Sequence, residues 1–111
     1  MATATYVQEG ASIDYTPSGA VAEGDVVVQG DLVGVVVRPI EADRLGALAV
    51  EGVFDFPKGT GSASAIAAGK KVYWDDGNQV ATETAGGNTY IGKTILAATD
   101  DDETVRVRMS Q

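Results

Sequence analysis

Short apolar runs alternate with clusters of Gly, Asp, Asn and Ser along the whole chain, at intervals of about ten residues. The runs are rich in Val, Ile, Thr and Tyr, whose branched or flat side chains suit a pleated, half-buried surface. This pattern predicts strands over residues 5–8, 12–15, 25–29, 32–38, 47–56, 71–75, 79–83, 89–96 and 104–109. Within 47–56 the period is two. Leu48, Val50, Phe54 and Phe56 share one face with Gly52 between them, and Glu51 and Asp55 take the other, so one face is core and one is wet. The stretch "WDDGNQV" sets Asp-Gly and Gly-Asn between two strand-like runs, a hairpin signal. Only "SASAIAAG", residues 62–69, suits a turn or two of helix. The expected fold class is all-β, a small compact β-barrel or sandwich with short strands and at most one short helical turn.

A weak internal repeat overlies these strands. "AVAEGDVV" at 20–27 and "AIAAGKKV" at 65–72 share Ala, aliphatic, Ala, any, Gly, two variable positions, Val. Each is followed by an aliphatic-Gly pair, Val33-Gly34 and Ile91-Gly92. Val50 lies 16 residues beyond Gly34, and Val107 lies 15 beyond Gly92. The expected organisation is an N-terminal arm with first strands over 1–16, then a single β domain over 17–111 containing two related β units, 20–57 and 65–109.

Composition narrows the chemistry. The 111 residues are one domain's worth, and the apolar 44% is mostly Ala and Val, with one Trp and two Phe, which implies thin, close-packed layers. Eight Lys and Arg against 16 Asp and Glu leave a net charge of −8, a surface that repels phosphate backbones, so no nucleic-acid partner is expected. Without Cys there is no thiol nucleophile or disulfide framework, and without His the commonest general base and zinc ligand is missing. The start "MATATYVQEG" has neither a basic region nor an apolar run, and no segment is long enough to span a bilayer. A soluble protein without a secretion signal or membrane partner is expected.

One motif points elsewhere. "GNTYIGKT" fits the phosphate-loop pattern G-x-x-x-x-G-K-[ST], with Gly87, Gly92, Lys93 and Thr94 at the fixed positions. A working loop needs a buried strand before it, a helix after it and a later Mg²⁺-holding Asp. Here "QVATETAG" precedes it, and the 17 residues after Thr94 are too few for a helix and a second strand. The match is read as spurious and the segment as a hairpin arm, with Gly92 the repeat's counterpart of Gly34.

The remaining polar clusters read as structural. Asp100, Asp101, Asp102 and Glu103 lack the spacing of a calcium loop and are read as a solvated turn. Asp14, Asp25, Asp31 and Asp55 sit beside turns or in alternating strands, facing water. "KGTGSASA", residues 58–65, is read as a mobile loop in preference to an anion cradle. Of Tyr73 and Trp74, adjacent in one strand, one faces the core and the other a core edge or subunit contact. No catalytic residue, cofactor or metal is expected.

Several stretches together carry a family likeness: "YVQEGASIDYTPSGAVAEGDVVVQGDLVGVV", "GALAVEGVFDFPK", "AAGKKVYWDD" and "ETVRVRM". In this order, spanning residues 6–109, they resemble the capsid cement (head-decoration) proteins of tailed bacteriophages and prophages. The resemblance implies a β-clip-like protein that coats and stabilises the phage head. Its partners would be the major capsid (coat) protein and itself, as a homotrimer. Its location would be the outer capsid surface of the virion, after a stage in the host cytoplasm. The family brings no catalytic residues.

The expected capsid-binding segment is the arm Ala2, Thr3, Ala4, Thr5, Tyr6, Val7 and Gln8, which is small, uncharged and β-prone and has no hairpin partner nearby. Two alternatives stay open. One is a trimeric nucleotide-binding β enzyme using residues 87–94; the other is a glycan- or receptor-binding module with an aromatic platform around Trp74.

Overall fold

A computed structural model describes residues 4–5 and 10–111. These contain nine strands and no helix: β1 (Ser12–Tyr15), β2 (Val26–Gln29), β3 (Leu32–Val36), β4 (Gly46–Ala49), β5 (Gly52–Pro57), β6 (Lys71–Asp75), β7 (Val80–Thr82), β8 (Thr89–Thr94) and β9 (Thr104–Met109). They form two antiparallel sheets, ordered β1-β4-β3-β2 and β5-β9-β8-β6-β7. Neither closes into a barrel, so the fold is a sandwich, although the outer strands of the larger sheet touch at a parallel bridge between Lys58 and Ala81.

The alternation in sequence explains the layers. In β9, Val105, Val107 and Met109 point inward while Thr104, Arg106 and Arg108 face water. In β3 the run Val33, Gly34, Val35, Val36 is buried throughout, as expected of a strand covered on both faces. Val33 and Val35 join the main cluster with Phe56, Trp74, Ile91 and Met109. Val36 joins a second, smaller cluster with Ile40 and Leu48. The side chain of Gln111 adds a tie across the layers, accepting from Val33 N–H at 2.8 Å and donating to Val33 O at 2.5 Å.

Two expectations need correction. The predicted strand 47–56 is two strands, in different sheets, with a break at Val50 and Glu51. Val50 N–H still donates to Ala11 O (2.9 Å), one step beyond the β1–β4 register, and Gly52 then turns the chain with φ of 124°, accessible to Gly. The inside-outside rhythm runs on across the break, so the pattern hides it. No helical turn forms at 62–69. Ile66 instead bridges Ala98 between two bends containing Gly61, Ala63 and Gly69, all at positive φ. The hairpin predicted from "WDDGNQV" joins β6 to β7, and Asp75 accepts from Asn78 N–H and Nδ2 at 3.2 and 2.8 Å. Of the predicted strand 5–8, Thr5 lies in no strand, and residues 6–8 lie outside the described residues.

The two sheets share a wiring plan. The order β1-β4-β3-β2 matches β5-β9-β8-β6, with β7 added at one edge. Gly24 N–H donates to Val36 O and Gly69 N–H to Thr94 O, both at 2.7 Å. Val36 N–H donates to Asp25 O and Thr94 N–H to Lys70 O, both at 2.9 Å. The bridge Val21–Ile40 corresponds to Ile66–Ala98, and Gly34 opposite Val27 corresponds to Gly92 opposite Val72.

Candidate functional site

The phosphate-loop-like segment is a turn and a strand. Gly87 has φ of 76° in the turn before β8, and Gly92, Lys93 and Thr94 lie within β8, followed by an irregular loop and then β9. Its amides therefore serve sheet ladders on both sides. A Cβ on Gly92 would stand 2.0 Å from the main-chain oxygen of Arg108, so this glycine permits close strand approach. The Thr94 hydroxyl is buried and committed, donating to Ala67 O at 2.7 Å and accepting from Lys70 N–H at 3.0 Å. Lys93 is exposed, paired across the ladders with Lys71 and Arg108.

The segment 58–65, expected as a mobile loop, is instead pinned by the acidic run. Asp100 Oδ1 accepts from Ser64 N–H (3.0 Å) and Ala65 N–H (2.7 Å), while Asp100 O accepts from Gly61 N–H at 3.0 Å. Asp100 is thus a structural clamp within what the sequence marked as a solvated turn. Lys58 is 5% exposed. Its Nζ donates to Gly59 O at 2.6 Å and reaches Ser64 Oγ at 3.4 Å, and no carboxylate among the described residues lies within ion-pair range. Neither Lys58 burial nor the Asp100 clamp is signalled by residue type or spacing.

The aromatic pair divides as expected. Trp74 is buried, donates Nε1–H to Asp76 Oδ1 at 3.1 Å, and offers no platform. Tyr73 is half-buried, edge-on to Tyr90 with centroids 5.6 Å apart. Asp14, Asp25 and Asp31 are exposed. Asp55 pairs with Arg106 across β5 and β9 at 2.9 and 3.2 Å, and hydrogen bonding from that guanidinium holds its carboxyl below the usual range. Among the described residues, no cluster of acidic side chains suits a metal ion, and no helix is long and apolar enough to cross a membrane. Of the arm residues, Ala4 and Thr5 are exposed, while Ala2, Thr3, Tyr6, Val7 and Gln8 lie outside the described residues.

Two hollows lie under matching loops of the two sheets. One, of about 560 Å³, is lined by the loop between β3 and β4, including Arg38, Ile40, Arg44 and Leu45. The other, of about 230 Å³, is lined by the loop between β8 and β9, including Leu96, Ala98 and Asp102, together with Asp55 and Arg106. The sequence reading missed both because it carried the strands before each loop too far, to 38 and 96. Val37, Ile95 and Leu96 were thereby hidden as strand residues, when in fact they are exposed.

Comparison with known families decides the identity. The model for phage cement proteins matches residues 7–109. The chain belongs to the phage cement protein family. No curated protein and no solved structure matches it significantly. Cement-family membership supports a structural role on a phage capsid, and the match includes Val7 and Gln8 of the arm but not residues 2–6.

Proposed function

We propose that this protein binds the outer surface of the assembled capsid and stabilises it as a cement protein. The observation that carries the reading is the family match over 7–109. The site geometry agrees with it, since the segments that chemistry would need are used to build the sandwich. A cement that binds the assembled lattice but not free coat subunits stabilises the shell by mass action, and several simultaneous contacts raise its avidity. Its net charge of −8 favours dispersed particles.

The protein acts as a homotrimer, is present on the virion after a stage in the host cytoplasm, and takes neither nucleic acid nor a membrane as partner. It does not hydrolyse nucleotides. The strand geometry of residues 87–94 and the committed Thr94 hydroxyl support this. The burial of Trp74 speaks against a glycan platform.

The arm Ala2–Gln8 adds an extended segment to the coat protein. Ala4 and Thr5 are exposed and belong to neither sheet. Removing residues 2–5 should weaken attachment to capsids while barely moving the melting temperature, and undiminished attachment would place the contact elsewhere. ATP turnover that disappears in Lys93→Ala would favour the nucleotide-enzyme reading instead.

A further inference from the structure

Five large apolar side chains are exposed on the described surface: Val37, Leu45, Val53, Ile95 and Leu96. Four of them sit in two loops, 37–45 and 95–103, which occupy the same place in the two sheets. Each loop follows the strand whose last residue, Val36 or Thr94, accepts from the glycine of the shared Ala-aliphatic-Ala-x-Gly motif. Each is pinned midway by an equivalent bridge, Ile40 to Val21 and Ala98 to Ile66. Asp43, at φ of 61°, is further held by its N–H to Pro17 O at 2.8 Å. Both loops are therefore fixed before any partner arrives, which lowers the ordering cost of a contact.

The loops differ in charge and in shape. Loop 37–45 balances Arg38 and Arg44 against Glu41 and Asp43, whereas loop 95–103 carries four carboxylates and no cation. Internal bonds engage Asp100 with Ser64 and Ala65, and Asp102 with Thr99 N–H at 2.7 Å. Asp101 and Glu103 are left exposed and without side-chain partners. Arg38 and Arg44, beside the larger hollow, are likewise exposed and unpaired among the described residues. Two acidic loops facing each other would repel, while an acidic loop facing the hollow, where Arg38 and Arg44 outnumber Glu41, would attract.

We propose that loop 37–45 of one copy receives loop 95–103 of a second copy. Leu96 and Ile95 enter the hollow beside Leu45, and Asp101 and Glu103 face Arg38 and Arg44. The contact is head-to-tail, because each copy offers one loop of each kind, and such contacts generate closed rings when the rotation permits. It deepens the self-association proposed above and is independent of capsid binding.

The absence of cysteine provides a clean test. In a Leu45→Cys/Leu96→Cys variant without capsids, oxidation should join copies into disulfide-linked oligomers that end in a closed ring. Neither single variant should form a disulfide-linked dimer in comparable yield. Arg38→Glu/Arg44→Glu should weaken association in sedimentation equilibrium by roughly tenfold or more, and adding Asp101→Lys/Glu103→Lys to the same chain should restore it. All these side chains are exposed, and circular dichroism should report an unchanged fold. A parent that stays monomeric at high micromolar concentration, a double-cysteine variant that does not cross-link, or a charge reversal without effect would each overturn the proposal. Capsid attachment is read separately, so its failure does not mimic this one.

Discussion

The four-stranded and five-stranded sheets share one strand order but are held together unequally. The larger sheet contributes Phe56, Trp74, Ile91 and Met109 to the main cluster, with Phe56 near both Phe54 and Trp74 at centroid distances of 6.4 and 6.0 Å. The smaller sheet's own cluster is Val36, Ile40 and Leu48, bordered by half-buried Ile13, Tyr15, Val21 and Val27. Its remaining anchorage comes through β3, whose Val33 and Val35 belong to the main cluster, and through β2, whose half-buried Val26 and Val28 pack against it. One wiring plan can therefore be stabilised either by bulk or by borrowing a neighbour's core. The free energy of burial, proportional to apolar area removed from water, lies mainly in the second arrangement's partner.

The largest expected effect tests that inequality directly. Trp74→Ala should cost about 3–5 kcal/mol, a value typical of emptying a large aromatic site. Leu48→Ala should fall toward the low end of about 2–5 kcal/mol, because its half-buried neighbours can close on the gap. Urea denaturation measures both, and a reversed ranking would break the comparison.

Next come the paired glycines. Gly92→Ala drives a Cβ against the Arg108 main chain and should cost about 1–3 kcal/mol or more. Gly34→Ala meets Leu48 Cβ at 2.8 Å and Cδ1 at 2.9 Å, of which only the Cδ1 can swing aside. β4 must therefore yield slightly, and the cost should be real but smaller than at Gly92, where the clash is 2.0 Å from a main-chain oxygen. Leu48→Ala removes the Cδ1 contact but keeps the Cβ, so it should relieve only part of the Gly34→Ala penalty in a double-mutant cycle, while leaving the Gly92→Ala penalty untouched.

These pairs also mark what was legible in the sequence. The all-β class, eight of the strand positions and the β6–β7 hairpin follow from apolar alternation and turn residues, because those signals are local. The place of Gly34 and Gly92 was visible through the aliphatic-Gly pairs, although the reason, strand against strand or strand against side chain, is tertiary. The switch at Val50 and Glu51 was not legible, since a strand can change sheets without losing its inside-outside rhythm. Nor was the Asp100 clamp on Ser64 and Ala65, which joins residues 36 and 35 positions apart. The candidate capsid contact came from composition of the arm, and the family from ordered motifs. The exposed loops 37–45 and 95–103 escaped because apolar residues after a strand read as more strand.

A further variant probes a buried polar residue at a matched position. Thr94 stands where the smaller sheet has Val36, and it alone bonds Ala67 O and Lys70 N–H through its side chain. Thr94→Val should cost about 1–3 kcal/mol by leaving those groups unpaired, despite preserving shape. A neutral result would mean the two sheets tolerate the same residue there.

The smallest effect is expected at the Asp55–Arg106 pair, whose side chains are 46–47% exposed. Arg106 lowers the Asp55 pKa, so the pair's contribution is fully present above the ordinary carboxylate value of 3.8 and is lost as pH falls through the lower folded value. Asp55→Asn should thus lower the melting temperature slightly at neutral pH, and parent and variant should converge in acid. High salt should shrink the difference, because surface pairs are weak and screened.

The most direct measurement is to add the purified protein to assembled capsids lacking it and, in parallel, to free coat protein, then image the particles and follow their disruption by heat. The account predicts regular density on the outer capsid surface, a higher disruption temperature, and little binding to unassembled coat protein. Bare capsids at saturating protein, or equal binding to free coat subunits without any gain in capsid stability, would contradict it.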